Sequence, residues 1–389
     1  MNYRDEFPLE DGRIYLNHAY YGRWPRRTVM AVERLCREIN TGAIRYGDWL
    51  QAEARLRERF RALIDAPSVE DIALLKNTSE GLSVVAHGLD WRAGDNIVIT
   101  DQEFPSNRIV WESLSGQGVE IRQAAIPVTP FEEAPEAIIE RTCDGNTRLV
   151  SVSSVQYGTG LRMDLARIGA FCRREGILFC VDAIQSLGAL SLDVQAIGAD
   201  FLAADGHKWM LGPDGIALFY CREELRDRLT LRQYGWRMVE EPFDFDNRDW
   251  RVASSARRFE CGSPNTLGIH ALGASLSLLL EVGMEEVERG VLQNSAYLIA
   301  AIAGNEAGNG GLRLLSPAAV IHDPARRGGI VTFGARDREP RELFQALKAA
   351  GIACALRGGG IRFSPHFYTP REQLKIAMER LEELVAHST

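Results

Sequence analysis

"AADGHKWMLGP", residues 203–213, holds one of only four lysines in a chain that uses arginine forty-one times. The stretch closes an apolar run, "ADFLAA", and opens a polar loop, which is the signature of a short buried strand delivering its last residues to a site. Working outward, the same plan recurs on both sides. "DIALLKNTSEGLSVVAHGL", "DNIVITDQEFPSN", "TRLVSVSSVQYGTG" and "GILFCVDAIQSLG" each join a short branched-apolar run to a polar loop, and helix-length segments such as "DLARIGAFCRREG" lie between them. Strands of this kind, buried on both faces and joined by helical crossovers, belong to an α/β fold with a mainly parallel central sheet between helices. In such a sheet the loops beyond the carboxyl ends of the strands build the ligand site. Those loops carry Thr78, Ser79, Glu103 to Asn107 with Phe104 among them, Gln156, Asp182, Gln185, His207 and Lys208, which should converge.

The rest of the chain sets the boundaries. Its 389 residues, 46% of them hydrophobic, suffice for a large domain and a smaller one. Residues 30–265 read as the α/β domain. After about residue 265 a long helical stretch, short strands "GGIVTFGA", "GIACALR" and "IRFSPHFY", and a closing helix give an α+β domain over 266–389; residues 1–29 form a segment expected to pack near the site. A helical stretch is expected from about Arg27 to Ile64. The net charge of −8 and sequence pI near 5.6 argue against nucleic acid or an anionic membrane as the main partner. The start, "MNYRDEFPLEDGR", lacks the apolar core of a secretory signal, so a cytoplasmic location is expected. Seven cysteines are scattered without a C-x-x-C pair or a histidine cluster at zinc spacing, which suits reduced thiols and leaves no metal site.

Asp182 ends a strand that is otherwise apolar, so its carboxylate needs a cationic or hydrogen-bonding partner. Lys208 closes the next strand, one crossover later. A carboxylate and a lysine on adjacent strand ends are what pyridoxal 5'-phosphate (PLP) chemistry requires: the amine forms a Schiff base and the carboxylate keeps the pyridine nitrogen protonated. At this point "VDAIQSLG", "ADGHKWMLGPDGIALFY" and "RRFECGSPN" together resemble the class V aminotransferase and cysteine desulfurase group of fold type I PLP-dependent enzymes. "EFPSN", "GHKWMLGP" and "IRFSPHFYT" look closest to its isopenicillin N epimerase-like branch. The likeness spans nearly the whole chain in the right order.

The resemblance implies roles residue by residue. Lys208 becomes the Schiff-base lysine, and elimination supports this: Lys76 precedes a polar turn, while Lys348 and Lys375 lie in helical stretches. A lysine in a desolvated pocket sheds its proton, which arginine does not do. Asp182 becomes the pyridinium partner, against the alternative of a helix cap. Gln185 and Gln156 stand where relatives place amides near the phenolic oxygen. Thr78 and Ser79 become phosphate donors at a helix start, although a plain N-cap reads equally well from the residues alone. His207 resembles a second phosphate contact, and Ser263 in "CGSPN" one that reaches the neighbouring subunit's phosphate, which implies a homodimer with shared sites. Phe104 takes the place of a ring that stacks on the pyridine, with a core aromatic as the competing reading. Asp205 stands where relatives often have a serine in "SGHK"; a carboxylate repels phosphate, so a structural hydrogen bond is expected of it. Arg362, in an R-x-S motif, becomes a clamp for the substrate carboxylate, with Arg357 a second clamp or an ion-pair partner. Asn17 resembles a residue bordering the substrate pocket, with a turn asparagine as the alternative.

The implied activity is PLP-dependent chemistry at the α-carbon of an amino acid, with aminotransferase first. Epimerisation would need a second acid, for which Tyr20, Tyr21 and His366 are candidates. A C–S or other β-lyase would expel a leaving group after the same deprotonation. A desulfurase would carry a nucleophilic cysteine in an R-x-G-x-x-C loop, where this chain has "RGGG"; Cys354, in "GIACALR", reads as packed. A non-catalytic PLP-fold regulatory or binding protein is the alternative of another class, and would be expected to lose Lys208 or Asp182.

Overall fold

The computed structural model describes residue 3 and residues 5–127, 133–308 and 310–386. Seven runs form the central sheet: β1 (Ile72–Leu75), β2 (Asn96–Thr100), β3 (Glu120–Ala124), β4 (Thr147–Ser153), β5 (Leu178–Asp182), β6 (Phe201–Asp205) and β7 (Ala217–Cys221). Their order across the sheet is β1-β7-β6-β5-β4-β2-β3. Only β7 runs against its neighbours; the rest are parallel. The apolar strands are buried on both faces. In β5, Phe179 and Val181 enter one packed layer while Leu178 and Cys180 enter the other, as period-two alternation requires. The edge strand β3 is the polar one, which blunts an open edge.

Among the described residues two helices begin at the site and others pack around the sheet. The stretch expected as continuous from Arg27 to Ile64 is two helices, α1 (Arg26–Asn40) and α2 (Tyr46–Ile64), because Thr41 turns its hydroxyl back to the Arg37 carbonyl and Gly42 takes φ of 72°. Helices α3 (Thr78–Gly88) and α4 (Ser106–Glu112) follow β1 and β2. The long C-terminal helical stretch breaks at Gly283 into α5 (Thr266–Val282) and α6 (Met284–Ala307), and α5 packs on α1 and α2. Beyond them an antiparallel sheet forms from β8 (Leu312–Leu314), β9 (Val331–Ala335), β10 (Ala355–Arg357) and β11 (Gly360–Phe363), in the order β10-β11-β9-β8. Among the described residues no single helix is long and apolar enough to cross a membrane.

The N-terminal segment is a strap between the two sheets. Ile14–Tyr15 pairs in parallel with Ile352–Ala353, and Asn17 bridges to Ser364. The strap then reaches the lysine turn, where the Gly22 N–H donates to the His207 carbonyl at 2.6 Å. A Cβ on residue 22 would stand 2.0 Å from the Lys208 carbonyl oxygen, so only glycine permits this approach.

Candidate active site

The carboxyl ends of β1, β2, β5 and β6 and the β10–β11 hairpin converge on a cavity of about 210 Å³. Thr78, Ser79, Phe104, Asp182, Gln185, His207, Lys208, Arg357 and Arg362 all line it. Gln156, Asn17 and Ser263 are not brought into its wall: Gln156 is buried behind it, Asn17 sits in the strap with Ala19 and Tyr20 at the wall instead, and Ser263 is exposed.

One end of the cavity is the start of α3. Asn77 caps the helix, its Oδ1 accepting the Glu80 N–H at 2.9 Å, so neither Thr78 nor Ser79 is spent as a cap. Thr78 Oγ1 accepts the Asp205 N–H at 3.0 Å and keeps its own hydrogen to donate; Ser79 Oγ lies 2.9 Å from Ser106 Oγ. Unpaired helix N–H groups and the uncommitted Thr78 hydroxyl hydrogen at a positive dipole end suit an anion, with the Ser79–Ser106 hydroxyl pair beside them. The structural hydrogen bond expected of Asp205 comes from its backbone rather than its carboxylate. Its Oδ1 lies 3.0 Å from His207 Nδ1 but out of line, and both atoms are buried without a hydrogen-bond partner.

The floor is Asp182 and Lys208. Asp182 is buried and accepts one hydrogen bond, from the Ile184 N–H at 3.0 Å. Burial raises its carboxyl above the usual range, helped by Glu103 and opposed by that hydrogen bond and by Lys208. Burial likewise lowers the Lys208 ammonium, with Asp182 opposing and Arg362 adding to the drop. The Lys208 Nζ lies 5.6 Å from the centre of the Phe104 ring, which is partly exposed and meets Tyr157 edge-on at 5.2 Å. Phe104 is therefore a cavity wall rather than a core aromatic. Gln185 uses one N–H on the Ala19 carbonyl and its oxygen on the Trp209 indole, which leaves one N–H. Gln156 turns its amide nitrogen to Thr100 and Glu103, and its oxygen is buried without a partner. Glu103, expected in the converging loops but given no role of its own, is the hub here: its carboxylate takes five donors, from Thr100, Asn107, Gln156 and both the amide and hydroxyl of Ser153.

The wall formed by the β10–β11 hairpin is arginine-rich. Arg362 is buried, donates to the Tyr157 carbonyl at 2.8 Å, and leaves its Nε without a partner. Burial, then the neighbouring Arg357, lowers it to about 10. Arg357 and Gly360 pair across a two-residue turn at Gly358 and Gly359, with φ of 61° and 78°. That primed turn closes the "RGGG" segment into a tight hairpin. Cys354 is buried, its thiol pushed up to about 12, and no cysteine lines the cavity among the described residues. Ser106, in "EFPSN", and Tyr157, in "SSVQYGTG", also line the wall, although neither was assigned a role from the sequence.

The donors present fit PLP. A buried carboxylate with one partner suits a pyridinium, a desolvated amine suits an aldehyde, and the open start of α3 suits a phosphate. Comparison with known proteins agrees. Residues 33–376 match the family described as Aminotransferase class-V. A probable cysteine desulfurase of Methanothermobacter thermautotrophicus is 30% identical over 98% of this chain and 97% of its own. An uncharacterized aminotransferase of Bacillus subtilis is 32% identical over 85% of this chain and 83% of its own. Among solved structures, a cystine C–S lyase in complex with its product cysteine persulfide superposes with a TM-score of 0.88 at 25% identity, covering 97% of this chain and 99% of that one. The group is the one the motifs indicated; these relatives do not name its epimerase-like branch.

Proposed function

From the premise that this chain belongs to the class-V aminotransferase family of PLP-dependent enzymes, we propose that it transaminates an amino acid at its α-carbon. Lys208 is the base. Burial biases its Nζ toward the neutral amine that can take the α-proton, and the same residue can redeliver that proton on the same face. Bound PLP supplies an electron sink for the pair left at the α-carbon. Asp182 holds the ring nitrogen, Phe104 covers one face, Thr78, Ser79 and His207 hold the phosphate, Gln185 serves the phenolic side with its remaining N–H, and Arg362 orients the substrate carboxylate, while Gln156 and Asn17 stay outside the wall.

The observation that carries this reading is a single desolvated lysine with no thiol beside it. Desulfuration needs a cysteine on a mobile loop, whereas the hairpin before Arg362 is closed by two glycines. Epimerisation needs a second acid; of the three candidates His366 is buried outside the cavity with both ring nitrogens engaged and Tyr21 is not in the wall, which leaves Tyr20, so a change of chirality in the product would point to that residue. β-Elimination is the second reading, favoured by the likeness to a C–S lyase. A homodimer sharing its sites through Ser263 is part of the proposal, as is a cytoplasmic location, to which seven unpaired thiols are suited.

The test is to offer single amino acids to the purified PLP-loaded protein and follow keto acid, sulfide and chirality. Keto acid with an amino group left on the cofactor is expected, and Lys208→Ala should abolish both turnover and the visible band of lysine-bound PLP. Sulfide or ammonia without amino transfer would replace transamination by elimination.

A further inference from the structure

Arg357 and Arg362 project from one face of the hairpin. Ala355 pairs with Arg362 and Arg357 with Gly360 across β10 and β11. Opposite residues of an antiparallel pair share a face, as do residues two apart on a strand, so Arg357 stands on the side of Arg362; both line the cavity. No carboxylate pairs with either. Among the described residues the side chain of Arg362 donates only to the Tyr157 carbonyl and that of Arg357 only to the Leu356 carbonyl, each at 2.8 Å. The other two buried arginines are neutralised, Arg226 by Asp71 and Arg237 by Glu53, so Arg362 is the exception among them, and exposed Arg357 adds a second positive charge to its wall. Two unneutralised guanidinium groups on one wall repel each other and persist where anions come to meet them.

The anions can be counted. The cofactor phosphate is met at the far end by Thr78, Ser79 and His207, and the α-carboxylate of an amino acid occupies Arg362. One cation remains. We propose that Arg357 receives a second carboxylate, so that the substrates are amino acids with an acidic side chain. This inference rests on the amino acid chemistry proposed above. Arg357 is exposed at the cavity mouth, beyond buried Arg362, where the end of a side chain would lie. It is also held in place. A Cβ on residue 358 would stand 2.2 Å from the Gly158 carbonyl oxygen, so the hairpin tip packs directly on the loop that carries Tyr157.

The experiment compares kcat/KM for aspartate, glutamate and cysteine sulfinate with that for alanine, in the PLP-loaded wild type, Arg357→Gln and Arg357→Lys. The wild type should favour the acidic substrates. Arg357→Gln should lower the acidic-to-neutral ratio roughly tenfold or more, mainly through KM, and Arg357→Lys should recover part of it. A general loss of structure would move both substrate classes together, so the ratio separates recognition from folding. A wild type without acidic preference, or a Gln variant that loses both classes equally, overturns the inference. Failure of the underlying reading looks different: no amino acid would alter the absorption of bound PLP.

Discussion

Asp182 is a carboxylate kept where the unliganded fold disfavours its charge. Burial raises its carboxyl, so the folded state holds a proton that the unfolded chain gives up at about pH 4. Stability is therefore lost as pH rises through the raised value and stays lost above it. Asp182→Asn removes the penalty. The unliganded variant should melt higher than wild type at pH 8, by on the order of 1–2 kcal/mol, with the difference closing toward pH 4, while its PLP affinity falls at least tenfold. Lower melting at pH 8 would mean that Asp182 is a structural anchor. The residue itself was readable, since a carboxylate at the end of "GILFCV" demands a partner. The partners of Glu103 were only partly readable: Thr100 and Asn107 lie within four residues of it, whereas Ser153 and Gln156 come from another strand end that only folding brings to it.

At the scale of elements, two neutral histidines hold the segment after β11 in place: His18 ties the strap to it, and His366 ties it to the lysine turn. His18 donates from Nδ1 to the Ser364 carbonyl at 2.9 Å and accepts the Tyr368 hydroxyl at Nε2, 2.6 Å away. His366 donates from Nε2 to the Trp209 carbonyl at 3.0 Å, and its Nδ1 accepts the Phe367 N–H at 2.9 Å. Burial lowers both, His366 to about 4. A folded pKa below the unfolded one gives stability that is present above about pH 6.5 and is lost as pH falls toward 4. Melting should drop across that window by on the order of 3 kcal/mol for His366 alone, and less steeply in His366→Gln. A flat profile between pH 7 and 4.5 would contradict the buried neutral pair. The sequence offered His366 as a candidate acid; packing behind Trp209 gives it a structural place instead.

At the scale of the whole molecule, one surface is unusually aromatic. Tyr234, Phe243, Phe245 and Trp250 are exposed on the segment that leads to Ser263. Monomers rarely leave such rings in water, and a surface of this kind suits the homodimer proposed above. Light scattering should give twice the chain mass, and Ser263→Ala should weaken PLP binding in that assembly. A monomer that holds PLP as tightly would refute the shared site.

The strand ends, the lysine and its carboxylate partner were decided by local sequence, since a buried apolar run and the polar residues that close it are a matter of neighbours along the chain. What Asn77 spares for Thr78 and Ser79, which groups surround Glu103, and that Arg357 faces the same way as Arg362 were decided only in three dimensions. Those facts depend on cross-strand register and on contacts between segments as far apart as residues 157 and 362, which no window of sequence contains.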